Sequence, residues 1–281
     1  LATATAVAST AARLKLAADG RRVYSVGLRR VHPAITAVVE RAAFIGGCDA
    51  VSTPAAAELV GVPPVAATGR DLAVILGDPE AWAAVALDGP PGPTAVAVGG
   101  TDGERRAAVA AAEALGGRLD SIRLDLSDPS PEEVVRAVRE VRWELDGRGH
   151  SSIQLTVCGD LDEDAVRASA RFVDGFAVGQ RLAAGPAVPL SFDIVEVDGR
   201  PAAPRGTLSG RKALWRCERC GNRGIAPIRA RPESCPRCGG RLESLLRATL
   251  RWGRRESAEE EPAVIRSRAL REAADAARAT G

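Results

Sequence analysis

Four cysteines stand in two pairs of identical spacing: Cys217-Glu218-Arg219-Cys220, fourteen residues, then Cys235-Pro236-Arg237-Cys238. Each C-x-x-C makes a tight knuckle that aims two thiolates at one point. Two knuckles complete a tetrahedral sulfur site of the kind zinc takes, with no coordination position left open. Gly221 and Gly239 directly follow the second cysteine of each pair, where the turn needs backbone freedom. Cys217, Cys220, Cys235 and Cys238 are therefore expected to hold one structural Zn²⁺, with an iron site of the rubredoxin kind as the chemical rival. Arg216, Arg219, Arg223, Arg229, Arg231 and Arg237 surround them, and Trp215 is the one aromatic nearby for base stacking. A solvated basic face is the simpler reading of those arginines. With 38 basic against 36 acidic side chains, the chain has too little net charge to argue for nucleic acid.

A second set of chemically capable residues is scattered: Arg29-Arg30, Arg123-Leu124-Asp125, Cys158-Gly159-Asp160 and Gly179-Gln180-Arg181. Each group follows or closes a short apolar run that reads as a strand. Runs at 23–26, 93–98, 121–126, 152–157 and 175–178 alternate with helical patterns at 33–44, 102–115, 131–147 and 163–171. Further helical patterns cover 55–59, 70–76 and 79–86, and 62–66 reads as extended. Ser130 with Glu133 predicts a capping box at the start of the 131–147 helix. Strand and helix in regular alternation predict a parallel sheet with crossover helices, and the count predicts an irregular, incomplete α/β barrel. In a barrel the working residues sit at the carboxyl ends of the strands, which is where these groups fall. No G-x-G-x-x-G follows the first strand, so dinucleotide binding has no support.

The domain plan expected from these patterns has four parts. Residues 1–20 form a helix left from a preceding domain, 21–200 the α/β barrel, 201–250 the zinc-ribbon-like module, and 251–281 a charged helical tail. A strand is expected at 192–197. With aromatics at 3% and no methionine, the core must be built from Ala, Val, Leu and Ile. No apolar run approaches the roughly 20 residues of a membrane helix. Six cysteines, four of them in C-x-x-C pairs, suit a reducing cytoplasm and a metal better than disulfides.

Several segments, in order, resemble one family. They are 25–33 (Ser25-Val26-Gly27-Leu28-Arg29-Arg30-Val31-His32-Pro33), 44–52, 122–125, 141–146, 158–161, 177–179, 192–201 and 205–212. Together they are similar to nicotinate phosphoribosyltransferases, and the cysteine pairs resemble the zinc appendage of the archaeal-type branch. The resemblance implies a type II phosphoribosyltransferase. Its reaction joins nicotinate to phosphoribosyl pyrophosphate (PRPP), giving nicotinate mononucleotide for NAD synthesis. It also implies Mg²⁺ with PRPP, an ATP-coupled cycle, and a homo-oligomer in which a second subunit completes the active site. By the same resemblance, Arg29 or Arg30 and Arg123 would clamp carboxylate and phosphate, and Asp125 would hold the ribose and face its developing positive charge. The backbone N–H groups of Gly159-Asp160 and Val178-Gly179-Gln180 would cradle the 5′-phosphate. Read without the resemblance, a lone arginine at a strand end serves a salt bridge as readily as an anion.

The chain also departs from the family pattern. Arg70 stands where the family has a histidine used with ATP, and Gly99-Gly100 stands where it has Asp-Thr. Leu126-Ser127-Asp128 lacks the usual hydroxyl continuation, and Ala177-Val178-Gly179-Gln180 replaces Gly-Val-Gly-Thr. The chain starts where the family's first domain is expected to have ended. A non-catalytic relative acting as a binding or regulatory subunit is the alternative these departures keep open.

Overall fold

The computed structural model describes residues 2–26, 31–66, 75, 94–99, 103–186 and 189–280. The chain divides into two compact units, one of residues 1–188 with 261–281, the other of residues 189–260.

The first unit is built on a five-stranded parallel sheet. Its strands are β1 (Arg22–Ser25), β2 (Thr94–Val98), β3 (Leu119–Asp125), β4 (Gln154–Gly159) and β5 (Gly175–Val178), in the order β1-β5-β4-β3-β2. The helices are α1 (Ala2–Ala17), α2 (Pro33–Gly46), α3 (Pro54–Val60), α4 (Glu104–Leu115), α5 (Pro131–Gly147), α6 (Glu163–Ser169), the single turn α7 (Gln180–Ala183) and α8 (Pro262–Thr280). The caps account for where they start. The Ser130 hydroxyl accepts from the Glu133 N–H while the Glu133 carboxylate accepts from the Ser130 N–H, the reciprocal box expected from the sequence. His32 caps α2 through its ring, Nδ1 accepting from the Ala34 N–H at 3.2 Å, and Pro33 occupies the first turn.

Strands β3 and β4 have two unlike faces, whereas β5 is buried along its whole length. Val96, Val98, Ile122, Leu124, Leu155, Val157, Phe176 and Val178 are buried in one continuous core with Val7 and Leu14 of α1, Ala108 and Ala111 of α4, and Val134 and Val138 of α5. The alternate positions Ser121, Arg123, Asp125, Gln154, Thr156 and Cys158 face the other way and are polar. The period of two along a strand produces this split, and the core helices load the same face of the sheet. Next to β1, Tyr24 bridges Ala50 in parallel, and the Val65 N–H donates to the Val51 carbonyl at 2.8 Å. Residues 62–66, expected to be extended, form no strand: a bend at Val62 is followed by four residues without regular structure. The helices expected at 70–76 and 79–86 lie outside the described residues, apart from residue 75.

Buried polar groups tie the helices to the sheet edge. Glu40 of α2 is fully buried and accepts from the Ser52 N–H (2.8 Å), the Ser52 hydroxyl (2.7 Å), the Thr53 N–H (2.9 Å), the Ser25 hydroxyl (3.4 Å) and the Thr53 hydroxyl. Asp49 accepts from Lys15 Nζ (2.7 Å), the Val23 N–H (2.8 Å) and Arg266 Nη2 (2.7 Å). Arg266 also donates to the Phe44 and Cys48 carbonyls at the end of α2, so α8 docks on this unit through a guanidinium.

The second unit contains the three-stranded antiparallel sheet β10-β8-β9, made of β8 (Lys212–Cys217), β9 (Arg223–Pro227) and β10 (Leu242–Ser244). Two hairpins accompany it, β6 (Glu196–Val197) with β7 (Arg200–Pro201), and β11 (Leu250–Arg251) with β12 (Arg254–Arg255). Of the strand expected at 192–197, only 196–197 is paired, and Phe192 and Ile194 are exposed. A two-residue turn at Asp198-Gly199, both with positive φ, makes the ladder a short hairpin. Among the described residues no helix is long and apolar enough to cross a membrane.

Removing Glu40 strands the buried Ser25 hydroxyl and the half-buried donors of Ser52 and Thr53 at once. Glu40→Ala is expected to lower stability by about 3 kcal/mol, because each donor left unpaired inside the protein carries its full desolvation cost. Urea denaturation measures it, and a loss below about 1 kcal/mol would show that the donors find other partners.

Candidate functional site

The polar face of the sheet lines a cavity of about 130 Å³. Tyr24, Ala95, Ser121, Arg123, Thr156 and Ala177, from all five strands, contribute to its wall, together with Gln154, Val26, Val65 and Ala66. Arg123 and Asp125 stand two residues apart on β3 and therefore on the same face. Arg123 Nε donates to Asp125 Oδ1 at 2.7 Å and Nη2 to Oδ2 at 3.0 Å, a two-pronged fork. Their side chains are 20% and 15% exposed, so this is a largely desolvated pair and not a surface contact. Burial opposes the Arg123 charge, but the hydrogen bond to Asp125, its negative charge and the neighbouring Cys158 outweigh it, and the guanidinium lies above its ordinary value. The fork uses two of the five guanidinium protons and leaves three to offer.

The other expected positions fall on the same edge of the sheet. Asp125 is in register with Cys158, Gly159 with Val178, and Val178 with Ser25, so the carboxyl ends of β3, β4, β5 and β1 finish side by side. Backbones crowd together here. A Cβ on Gly159 would lie 2.8 Å from the Leu126 carbonyl oxygen, and one on Gly99 would lie 2.4 Å from that of Asp125. Gly99 also has φ of 146°, so a side chain here would be strained and would meet the Asp125 carbonyl.

Asp160 faces Arg181, with Oδ1 and Nε 3.4 Å apart but not aligned as a hydrogen bond, and Arg181 Nη2 donates to the Asp160 carbonyl at 3.4 Å. The Val178 side chain is fully buried on the helix side, so only its backbone is available at the edge. Gly179 precedes α7, and the Gln180 side chain is half-buried. Arg29, Arg30 and Arg70 lie outside the described residues. Ser121, Gln154, Thr156 and Tyr24 were not singled out from the sequence. The signal that marks them is the polar alternation 121-123-125 and 154-156-158, which period-two counting exposes.

In the second unit the four cysteines converge, their Sγ atoms all within 4.8 Å of one another. Cys217 and Cys238 are 3.5 Å apart at sulfur, and Cys220 and Cys235 3.7 Å. A tetrahedron with metal–sulfur bonds of about 2.3 Å has edges of about 3.8 Å, so the donor set matches one soft four-coordinate ion. The knuckles are alike. The Gly221 N–H donates to the Cys217 carbonyl at 3.0 Å and the Gly239 N–H to the Cys235 carbonyl at 2.8 Å, both glycines with φ near +70° (71° and 69°). Burial opposes a thiolate at Cys235, yet the N–H groups of Arg237 and Cys238 and the adjacent thiols bring it down to about 6. At Cys238 the Gly240 N–H favours the thiolate, but the neighbouring thiols and burial push it up to about 12. Without a cation the cluster holds back protons that a metal would displace. Trp215 is buried against Cys217, Cys235 and Leu242, so its ring is core and is closed to base stacking.

No family model matches the chain. It is 33% identical over 230 residues to the nicotinate phosphoribosyltransferase pncB1 of Mycobacterium tuberculosis, a match covering 76% of this chain and 50% of that protein. To pncB2 of the same organism it is 30% identical over 224 residues, covering 75% and 47%. The chain thus spans about half the length of the curated relatives it matches. Among solved structures, the nicotinate-nucleotide pyrophosphorylase of Pyrococcus furiosus superposes with a TM-score of 0.84 at 38% identity, covering 97% of this chain and 70% of that one. The human nicotinic acid phosphoribosyltransferase gives a TM-score of 0.70 over 97% of this chain and 68% of that one, but at 19% identity it speaks for the fold alone. With 33% identity to pncB1 over 76% of the chain, and 38% to the Pyrococcus furiosus protein over 97% of it, the chain belongs to the nicotinate phosphoribosyltransferase family.

Proposed function

We propose that this chain transfers the phosphoribosyl group of PRPP to nicotinate, giving nicotinate mononucleotide and pyrophosphate. The observation that carries the proposal is the placement of Arg123 and Asp125 on the polar face of the sheet, at an edge shared with Gly159-Asp160 and Val178-Gly179-Gln180. In the reaction the pyridine nitrogen forms a bond to ribose C1 as the bond from C1 to the diphosphate oxygen breaks, and the sugar passes through a cation-like state. Arg123 holds an anionic group of the substrates, and Asp125 faces the sugar's positive charge. The backbone N–H groups after β4 and β5 receive the 5′-phosphate, and Arg29 or Arg30 would add a second clamp. Mg²⁺, arriving with the diphosphate, takes oxygen ligands of the kind Asp125 offers and would neutralise the leaving group.

The one-sided helix packing and the parallel bridge of Tyr24 to Ala50 beside β1 support reading the sheet as the wall of an irregular α/β barrel. A homo-oligomer, the use of ATP and a cytoplasmic setting belong to the same proposal. For the second unit we propose Zn²⁺ at Cys217, Cys220, Cys235 and Cys238, as a staple without a catalytic role.

Purified protein given nicotinate, PRPP and Mg²⁺ is expected to form nicotinate mononucleotide, with ATP changing only the rate. Arg123→Ala and Asp125→Asn are each expected to lower kcat/KM by about 100-fold or more, the scale of losing one charged contact at the reacting centre. Tight binding of the mononucleotide with no turnover would instead favour the non-catalytic relative. For the metal, elemental analysis is expected to find one zinc per chain. Stripping it with a chelator at neutral pH is expected to free four thiols and unfold the 189–260 unit, as seen by loss of its buried Trp215 signal. A chelated protein whose Trp215 stays buried would mean that the four cysteines are ordinary core.

A further inference from the structure

The Arg123–Asp125 fork poses a problem for the chemistry just described, since each ion occupies the other's working position. Both Asp125 oxygens are covered by Arg123, at 2.7 and 3.0 Å, and the carboxylate meant for the sugar is turned toward a guanidinium. The two groups have opposite tasks, one to hold an anion and one to face a cation, and both cannot be performed while they hold each other.

We propose that the fork is a resting latch that an anionic substrate group opens: the anion takes the Arg123 guanidinium, and Asp125 is released to serve the ribose. This inference rests on the proposed function and names the order of events at the same site. Three observations support it. The pair is intramolecular on one strand, at residues i and i+2, so no backbone movement is needed to part it. Both side chains are mostly buried, where an unpaired charge is costly, so a built-in partner balances the Arg123 charge in the free protein. Arg123 lines the cavity, its side chain is 20% exposed, and three guanidinium protons remain for an incoming anion to engage before the fork parts. Charge is conserved through the exchange: one anion replaces another on Arg123, and Asp125 gains the cationic sugar or its accompanying Mg²⁺ as a new partner.

The latch makes a prediction opposite in sign to that for an ordinary binding residue. A binding-competent state that is only fractionally populated weakens apparent affinity by that fraction. If the fork is closed about nine-tenths of the time, removing the competing carboxylate tightens anion binding about tenfold. Calorimetry with inorganic pyrophosphate, on the whole chain without added metal, is the test. Asp125→Asn is expected to bind pyrophosphate about tenfold more tightly than the unaltered protein, although it is impaired in turnover, and Arg123→Ala is expected not to bind. Equal or weaker binding by Asp125→Asn, with Arg123→Ala still inactive in binding, overturns the latch and leaves the site assignment standing. Binding by Arg123→Ala as tight as by the unaltered protein, or none by any of the three, overturns both. Should Asp125→Asn not fold, the unaltered protein supplies the measurement. The Arg123 Nε–H resonance is expected to exchange slowly in the free state and to shift on pyrophosphate addition. Saturation with pyrophosphate that leaves it unmoved overturns the latch.

Discussion

The first unit depends on two adjacent strands, β3 and β4, that are apolar on one face and polar on the other. Ile122 and Leu124 face the helices while Arg123 and Asp125, their immediate neighbours, face the other way, with Arg123 lining the cavity. That alternation makes one strand serve both stability and chemistry: burial of the apolar set against α1, α4 and α5 supplies the hydrophobic stabilisation that holds the polar set in place. A slip of one residue in the register of β3 would turn both ions into the core. The same pattern in β4 puts Leu155 and Val157 inside and Gln154, Thr156 and Cys158 on the cavity side.

The edge where the strands end is held by backbone closeness as much as by side chains. Gly99 and Gly159 each let a neighbouring carbonyl approach to a distance that no Cβ allows. At Gly99 the close approach is to Asp125 itself. Beside β1, Glu40 and Asp49 gather donors from α1, β1, α8 and the residues before α3. These contacts connect segments that are far apart in sequence, among them Arg266, which follows the whole 189–260 unit in the chain.

Much of this was legible in the sequence, for reasons that differ by element. The 131–147 helix was legible from its capping box and apolar spacing, both of which are local. The five strands were legible because each is a short apolar run closed by glycine or a polar pair. The four cysteines were legible because two knuckles at fixed spacing have few other uses. What escaped was set by tertiary contact. The fork between Arg123 and Asp125 needs the side-chain geometry on the polar face of the sheet, and Arg181 as the neighbour of Asp160 needs the adjacency of β4 and β5. Trp215 is an ambiguous residue in the sequence, and only its packing on Cys217, Cys235 and Leu242 shows it to be core. The strand expected at 192–197 shortened because the Asp198-Gly199 turn closes a hairpin of two pairs and leaves Phe192 and Ile194 outside it.

The most direct measurement is a crystal structure with nicotinate mononucleotide bound. The ligand's phosphate is expected against the backbone of 159–160 and 179–180, with Asp125 turned from Arg123 toward the ribose hydroxyls. A mononucleotide bound elsewhere, with the carboxyl ends of β3, β4 and β5 left bare, would contradict the assignment of this edge as the place where the sugar is held.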